Sequence, residues 1–217
     1  MTNQNFDTFN DWVHATAALI ATILTEDIAA RGATTLAVSG GRTACAILPT
    51  LAKANVDWSR VTITLTDERW VDPTHTDSNQ RLANELLAPI MNRATFVGLY
   101  TGAPTPEDGL IATSTRIETL LPLGCVLLGM GEDGHIASLF PGTAPRQETL
   151  QTAIHGASAR ISMSPRTLLN AHAIVVAANG PEKCTVLKRA LHDGPTSDFP
   201  ICHVLHQDQT PVYLLTC

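Results

Sequence analysis

The stretch Gly129-Met130-Gly131-Glu132-Asp133-Gly134-His135 gathers three glycines, two carboxylates and a histidine within seven residues. A histidine oriented by a carboxylate is suited to taking a proton from water near neutral pH. His135 is therefore the candidate catalytic base, with Asp133 beside it; a core histidine with no chemistry is the alternative, which the flanking Asp-Gly disfavours. Asp67-Glu68-Arg69 is a second charged group. A solvated loop or helix cap would explain it, but Asp67 and Arg69 could also face the crevice that holds His135. The third group is Ser39-Gly40-Gly41-Arg42-Thr43. Its glycines would let backbone N–H groups approach an anion at a helix N-terminus. Ser39 and Thr43 could add hydroxyl donors there, and Arg42 a charged fork; a tight structural turn is the alternative. Lys183 sits early in a helix, where an acid is the commoner choice, and so is expected to face a ligand. Arg160 and Arg166 are further cations that could join it. Acid–base groups beside this many cations suit a phosphorylated substrate.

These groups need strands to bring them together. Thr34–Val38, Val61–Leu65, Cys125–Leu128 and Ala173–Ala178 are short apolar or β-branched runs, and each precedes one of the four chemical groups. Helices are expected near 8–30, over Ala44–Lys53, from an Asp77 or Ser78 cap through Leu87, from Pro106 to Leu121 and from Pro181 to about Leu191. That alternation predicts an α/β chain: a doubly wound, mostly parallel sheet flanked by helices, forming a single domain over residues 1–217. In such a sheet the four strand ends share one edge and converge on one pocket. Smaller features are a strand at Val97–Tyr100, a hairpin from Gln151–Ile154 and Ala159–Met163, a helical turn over Ile136–Phe140, a loop at His192–Pro200 and a last strand at Val212–Leu215.

The bulk composition removes several classes. A net charge of -6 with no basic run argues against nucleic-acid or membrane-surface partners. No apolar run is read as long enough to span a membrane, and the N-terminus lacks the pattern of a secretory signal. The five cysteines are scattered without a C-x-x-C pair, which favours thiols in a reducing, cytoplasmic setting over a disulfide framework or zinc ribbon. No metal site is expected, because His192, His203 and His206 have no ligand spacing with a nearby Cys or Glu. There is no G-x-S-x-G elbow and no P-loop. Gly129-x-Gly131-x-x-Gly134 matches a dinucleotide fingerprint literally. Its spaces hold an acid pair, however, and no acid-ended second strand follows at the required distance.

Leu128-Gly129-Met130-Gly131-Glu132-Asp133-Gly134-His135-Ile136-Ala137-Ser138-Leu139-Phe140-Pro141-Gly142 closely resembles the signature of the 6-phosphogluconolactonases. Asp67-Glu68-Arg69-Trp70-Val71 with Asp77-Ser78-Asn79 resembles their second motif, and Ser39-Gly40-Gly41 and Gly180-x-x-Lys183 match the outer two. The resemblance implies a fold similar to the glucosamine-6-phosphate deaminase and ribose-5-phosphate isomerase group. It implies hydrolysis of 6-phosphoglucono-δ-lactone, a small phosphorylated sugar lactone, in the pentose phosphate or Entner–Doudoroff route without a cofactor. The chain would act as a monomer, with a dimer as the alternative. Carried over by position, His135 looks like the residue that activates water, with Asp67 and Arg69 beside it. Lys183, Arg42 and the Gly40-Gly41 turn look like phosphate or substrate contacts. The chain departs from the pattern at Arg42-Thr43-Ala44, where the family often has Ser-Thr-Pro, and residues 190–217 match nothing definite.

The chief rival is a deaminase or isomerase of the same fold. Those deaminases carry a glutamate five residues after the histidine, and here that place is Phe140, which cannot move a proton. A non-catalytic sugar-phosphate sensor is a different rival. It would need a DNA-binding segment, and the chain has no spare basic stretch for one.

Overall fold

A computed structural model describes residues 1–144, 146–194 and 198–217, so residues 195–197 of the expected 192–200 loop lie outside the described residues. In chain order the first half contains β1 (Thr2–Asn5), α1 (Phe9–Arg31), β2 (Thr34–Val38), α2 (Gly41–Leu51), β3 (Val61–Leu65), β4 (Asp67–Arg69), α3 (Asn79–Leu86), β5 (Thr95–Val97) and α4 (Pro106–Glu118). The second half contains β6 (Leu123–Gly129), β7 (Leu150–His155), β8 (Ser158–Met163), α5 (Pro165–Leu169), β9 (Ala171–Ala178), α6 (Pro181–Asp193), α7 (Cys202–Leu205) and β10 (Val212–Thr216).

Seven strands form one parallel sheet in the order β1-β10-β9-β6-β2-β3-β5. From β2 the chain moves outward to β3 and β5, then returns to the other side of β2 to lay down β6, β9 and β10. The direction of winding therefore switches between β2 and β6, and the crevice beyond such a switch is where open α/β sheets hold ligands. The central strands are buried on both faces: every residue of β2 is buried, as are all of β6 except Gly129. That is why they read as near-continuous apolar runs.

Helix α1 starts where the Thr8 hydroxyl accepts the Asp11 N–H, and stops at Gly32, whose φ of 83° is left-handed. Trp12 is buried and its indole donates to the Leu215 carbonyl at 3.1 Å, tying α1 to β10. The expectation that nothing here is long enough to span a membrane needs correction. By length and composition the 23-residue α1 qualifies. One face of it, with Trp12, Ile20 and Leu24, is buried in the core instead.

A second, three-stranded antiparallel sheet, β4-β8-β7, packs beside the first. The expected hairpin is its β7–β8 pair. Asp67–Arg69 is the third strand of that sheet and not a turn. Only Thr66 separates β3 from β4. Its N–H donates to the Val38 carbonyl of the large sheet at 3.0 Å, and its carbonyl accepts the Met163 N–H of the small sheet at 2.8 Å.

Other expectations shift. β1 was not foreseen because its residues are polar and exposed; main-chain pairing with β10 at the sheet edge defines it. The short strand anticipated at 97–100 lies at Thr95–Val97, where it pairs with β3. Helix α4 ends at Glu118, short of Pro122. Ile136–Phe140 is a turn and not helical: Ala137 has φ 48° and the Leu139 N–H reaches the Ile136 carbonyl at 2.9 Å.

Candidate active site

A cavity of about 200 Å³ opens at the C-terminal edge of β9, β6, β2 and β3, across the switch point. Its wall includes Ser39, Gly40, Gly41, Arg42, Thr43, Asp67, Arg69, His135, Arg160 and Lys183. Asp133 stands directly behind His135. Arg166 is not among these residues. It is exposed, and its guanidinium donates to the Gln147 carbonyl at 3.0 Å. Arg160 and Arg166 lie on opposite sides of the end of β8, and only the strand residue is carried to the cavity.

The β6 loop sets the histidine. Asp133 Oδ1 lies 2.6 Å from His135 Nδ1 and accepts the His135 backbone N–H at 3.1 Å. With Nδ1 so engaged, Nε2 is the ring nitrogen left for the cavity. Desolvation pushes the Asp133 carboxyl up, but the backbone and ring of His135 outweigh it and hold the group below the ordinary aspartate value. Gly131 makes this fit possible, because a Cβ there would overlap both the imidazole and the Asp133 carboxylate. Phe140 flanks the arrangement, its ring 5.1 Å from that of His135 and stacked on His155 at 4.2 Å.

The small sheet contributes the opposite wall. Asp67 is buried, and its Oδ2 accepts the Ser138 hydroxyl at 2.6 Å. Arg69 and Arg160 are cross-strand partners between β4 and β8. Arg69 donates to Asn79 Oδ1, and the Asn79 amide donates in turn to the Asp67 carbonyl at 2.9 Å. Arg160 lies 3.8 Å from Asp67 and sits over the Phe140 ring at 5.8 Å. Burial lowers its pKa and the neighbouring Arg69 adds to this, while Asp67 and Glu68 oppose it.

Glu68, between the two site residues of β4, is fully buried and points away from the cavity. It accepts the backbone N–H groups of Arg69, Asn79 and Gln80 at 2.8, 2.7 and 2.8 Å and the Ser78 hydroxyl at 3.0 Å. Burial raises its carboxyl above the ordinary value against the pull of these donors. Ser78 itself caps α3, accepting the Arg81 N–H at 3.1 Å. Glu68 and Ser78 thus start α3 where Asn79 can reach Arg69.

The third wall is the start of α2. Gly40 is its N-cap with no side-chain cap bond, so the first backbone N–H groups are left for a ligand. A Cβ on Gly40 would overlap the Asn79 amide, so glycine lets the turn approach the start of α3. The Ser39 hydroxyl is used structurally: it lies 2.9 Å from the Thr66 hydroxyl and donates to the Leu127 carbonyl at 3.1 Å, tying the ends of three strands. Arg42 is exposed and donates to Glu132 at 2.9 Å. Lys183 rises from the first turn of α6. Burial pushes it below the ordinary lysine value and the Arg42 charge adds to this, while Glu132 opposes.

Asn79, Ser138 and Glu68 are the positioning residues that sequence patterns alone did not single out. The signal available was the pairing of three charges in a row with a serine-capped helix start ten residues later.

This arrangement joins a histidine poised by a carboxylate to four cations and an open helix start, in a space fit for a small anion. The chain matches the family model described as glucosamine-6-phosphate isomerases/6-phosphogluconolactonase over residues 7–213. It is 39% identical over 199 residues to a 6-phosphogluconolactonase of Rhizobium meliloti (strain 1021), covering 86% of each chain. It is 36% identical over 205 residues to one from Pseudomonas putida, covering 89% of this chain and 84% of the relative. The crystal structure of a 6-phosphogluconolactonase from Shewanella baltica OS155 superposes with a TM-score of 0.94 at 33% identity, covering 100% of this chain and 98% of that one. A monomeric glucosamine-6-phosphate deaminase shares the fold, with a TM-score of 0.82 at 17% identity over 99% and 97% of the two chains. The chain belongs to the glucosamine-6-phosphate isomerase/6-phosphogluconolactonase family.

Proposed function

We propose that this protein hydrolyses 6-phospho-D-glucono-1,5-lactone to 6-phospho-D-gluconate, as a step of the pentose phosphate pathway. The observation that carries the choice is the Asp133–His135 pair at 2.6 Å with Phe140 packed beside it. One proton-transfer group faces the cavity there, and the residue next to it is inert. Water attack on a lactone needs a base and oxyanion support. Ring opening and isomerisation need a further proton carrier, which Phe140 cannot be.

In this reading Nε2 of His135 takes a proton from water as the water oxygen bonds to the lactone carbonyl carbon. The tetrahedral oxyanion is supported by Arg69 or by a backbone N–H. The carbon–ring oxygen bond then breaks, and the imidazolium returns its proton to the departing ring oxygen. Asp133 keeps Nδ1 engaged throughout. The phosphate is held by the start of α2 with Arg42 and Lys183, and Arg160 adds charge from the other wall. All of these groups come from one chain, so the chemistry asks for no second copy and no cofactor. A reducing, cytoplasmic setting fits the thiols of Cys45, Cys125, Cys184 and Cys217, which form no disulfide.

The test is lactone disappearance against the spontaneous background, run beside ammonia release from glucosamine 6-phosphate. His135→Ala is expected to lower the lactonase rate on the order of 10²–10⁴-fold, the scale of a positioned base. Ammonia release without lactonase activity would overturn the choice, and a wild-type rate in His135→Ala would remove His135 as the base.

A further inference from the structure

The contact between Arg42 and Glu132 bridges the mouth of the cavity, and it supports an inference that rests on the sugar-phosphate reading above. Arg42 lies in the first turn of α2 and Glu132 in the loop after β6, so the pair joins the two loops of the switch point. The guanidinium Nη2 donates to Glu132 Oε1 at 2.9 Å, with the two side chains 82% and 57% exposed. Lys183 responds electrostatically to both groups, repelled by Arg42 and attracted by Glu132. One cavity cation is thus paired with this carboxylate, and a second feels its charge. Among the described residues that carboxylate has no other hydrogen bond or ion pair, and its exposure leaves it free to swing into solvent.

We propose that Glu132 attenuates phosphate affinity through Arg42, occupying the guanidinium until a phosphate displaces it. A phosphate dianion offers more charge and more acceptor oxygens than a carboxylate and can take the guanidinium fork bidentately. It therefore wins the exchange. The uncharged hydroxymethyl end of an unphosphorylated lactone gains nothing from Arg42 and leaves Glu132 in place. The cost of displacing Glu132 falls on the anions that engage Arg42, so the carboxylate weakens phosphate binding and leaves an uncharged ligand unaffected. Glu132 makes no contact with the reacting atoms, so its effect falls on binding and not on the chemical step.

The test is a double-mutant cycle of Glu132→Gln and Arg42→Ala on KM and kcat for the phosphorylated lactone. The cycle is repeated calorimetrically with inorganic phosphate as the probe. Glu132→Gln is expected to lower KM, and the Kd for phosphate, about two- to fivefold, the scale of an exposed ion pair, with kcat within twofold of wild type. In the Arg42→Ala background the same substitution is expected to change neither constant. Equal tightening with and without Arg42 would mean that Glu132 acts as a general negative charge, and the proposal fails. It also fails if Glu132→Gln weakens binding, changes kcat instead, or leaves phosphate binding as it was. Should the wild-type protein prove inactive on the lactone, the functional reading falls, while the phosphate cycle still decides the role of Glu132.

Discussion

Ser138→Ala isolates what the buried wall contributes. Ser138 and Asp67 are both buried, and the hydroxyl donates to Oδ2 at 2.6 Å. Without it, among the described residues Oδ2 keeps only the Arg160 contact at 3.8 Å, beyond hydrogen-bond range, and Arg160 loses its 3.5 Å contact with the same hydroxyl. A hydrogen bond to a charged group is worth roughly 1.5–3 kcal/mol when nothing replaces it. For a chain of this size that corresponds to a fall in Tm of about 3–12 °C. Ser59 offers an internal comparison: it makes the same hydroxyl–carboxylate bond to Asp57 at 2.6 Å, but in solvent. Water replaces that bond, so Ser59→Ala is expected to have a much smaller effect. The assay is urea unfolding of the two variants and wild type side by side, with m-values checked for constancy. If Ser138→Ala costs no more than Ser59→Ala, burial does not amplify the Asp67 bond, and the picture of Asp67 as a carboxylate fixed by Ser138 is wrong.

Other outcomes follow from the same geometry. Ala137→Gly relieves a left-handed alanine at φ 48° and is expected to be neutral or to stabilise by up to about 1 kcal/mol, because glycine's greater unfolded freedom offsets part of the relief; a clear loss in urea unfolding would contradict this. Gly40→Ala displaces the buried Asn79 amide that holds Arg69 and is expected to lower kcat/KM on the order of 10- to 100-fold, as for a misplaced site group, and to lower stability in urea unfolding as well. Burial and Arg42 depress Lys183, so as pH rises it loses its charge earlier than an ordinary lysine. Phosphate binding should weaken on the alkaline side at a lower pH than an ordinary lysine would give, and Lys183→Arg, charged throughout, should abolish that limb in a calorimetric pH series.

The four apolar strands that precede the chemical groups are legible because each is largely buried on both faces, and burial writes itself as an apolar run. The convergence of Ser39–Thr43, Asp67, Arg69, His135 and Lys183 on one cavity follows from topology. What sequence periodicity could not show is governed by long-range packing. Glu68 and Arg69 are adjacent acid and base in a charged run, yet strand alternation in β4 buries the first under α3 and turns the second to the cavity. Arg160 and Arg166 are equivalent as cations in the sequence; a strand carries one to the site, and the other stands on the exposed side of a short, mostly buried helix. The Ile136–Phe140 segment contains good helix formers, but Ser138 must face Asp67 and His135 must face the cavity, and a tight turn satisfies both.

Thr66 gives the molecule a mechanical property. Its main chain belongs to the hydrogen-bond ladders of both sheets, and its neighbours Leu65 and Asp67 already lie in different ones. Asp67, Arg69 and Arg160 are mounted on the small sheet, whereas His135, Lys183 and the start of α2 are mounted on the large one. The three small-sheet charges are therefore geared together: a tilt about Thr66 changes the gap to the opposite wall without altering their spacing from one another. The width of the cavity is fixed where the two sheets meet, at Thr66 and at the Ser138 bonds to Asp67 and Ser162, and substitutions packed around those contacts are expected to tune the length of substrate accepted while leaving the side chains of both walls as they are.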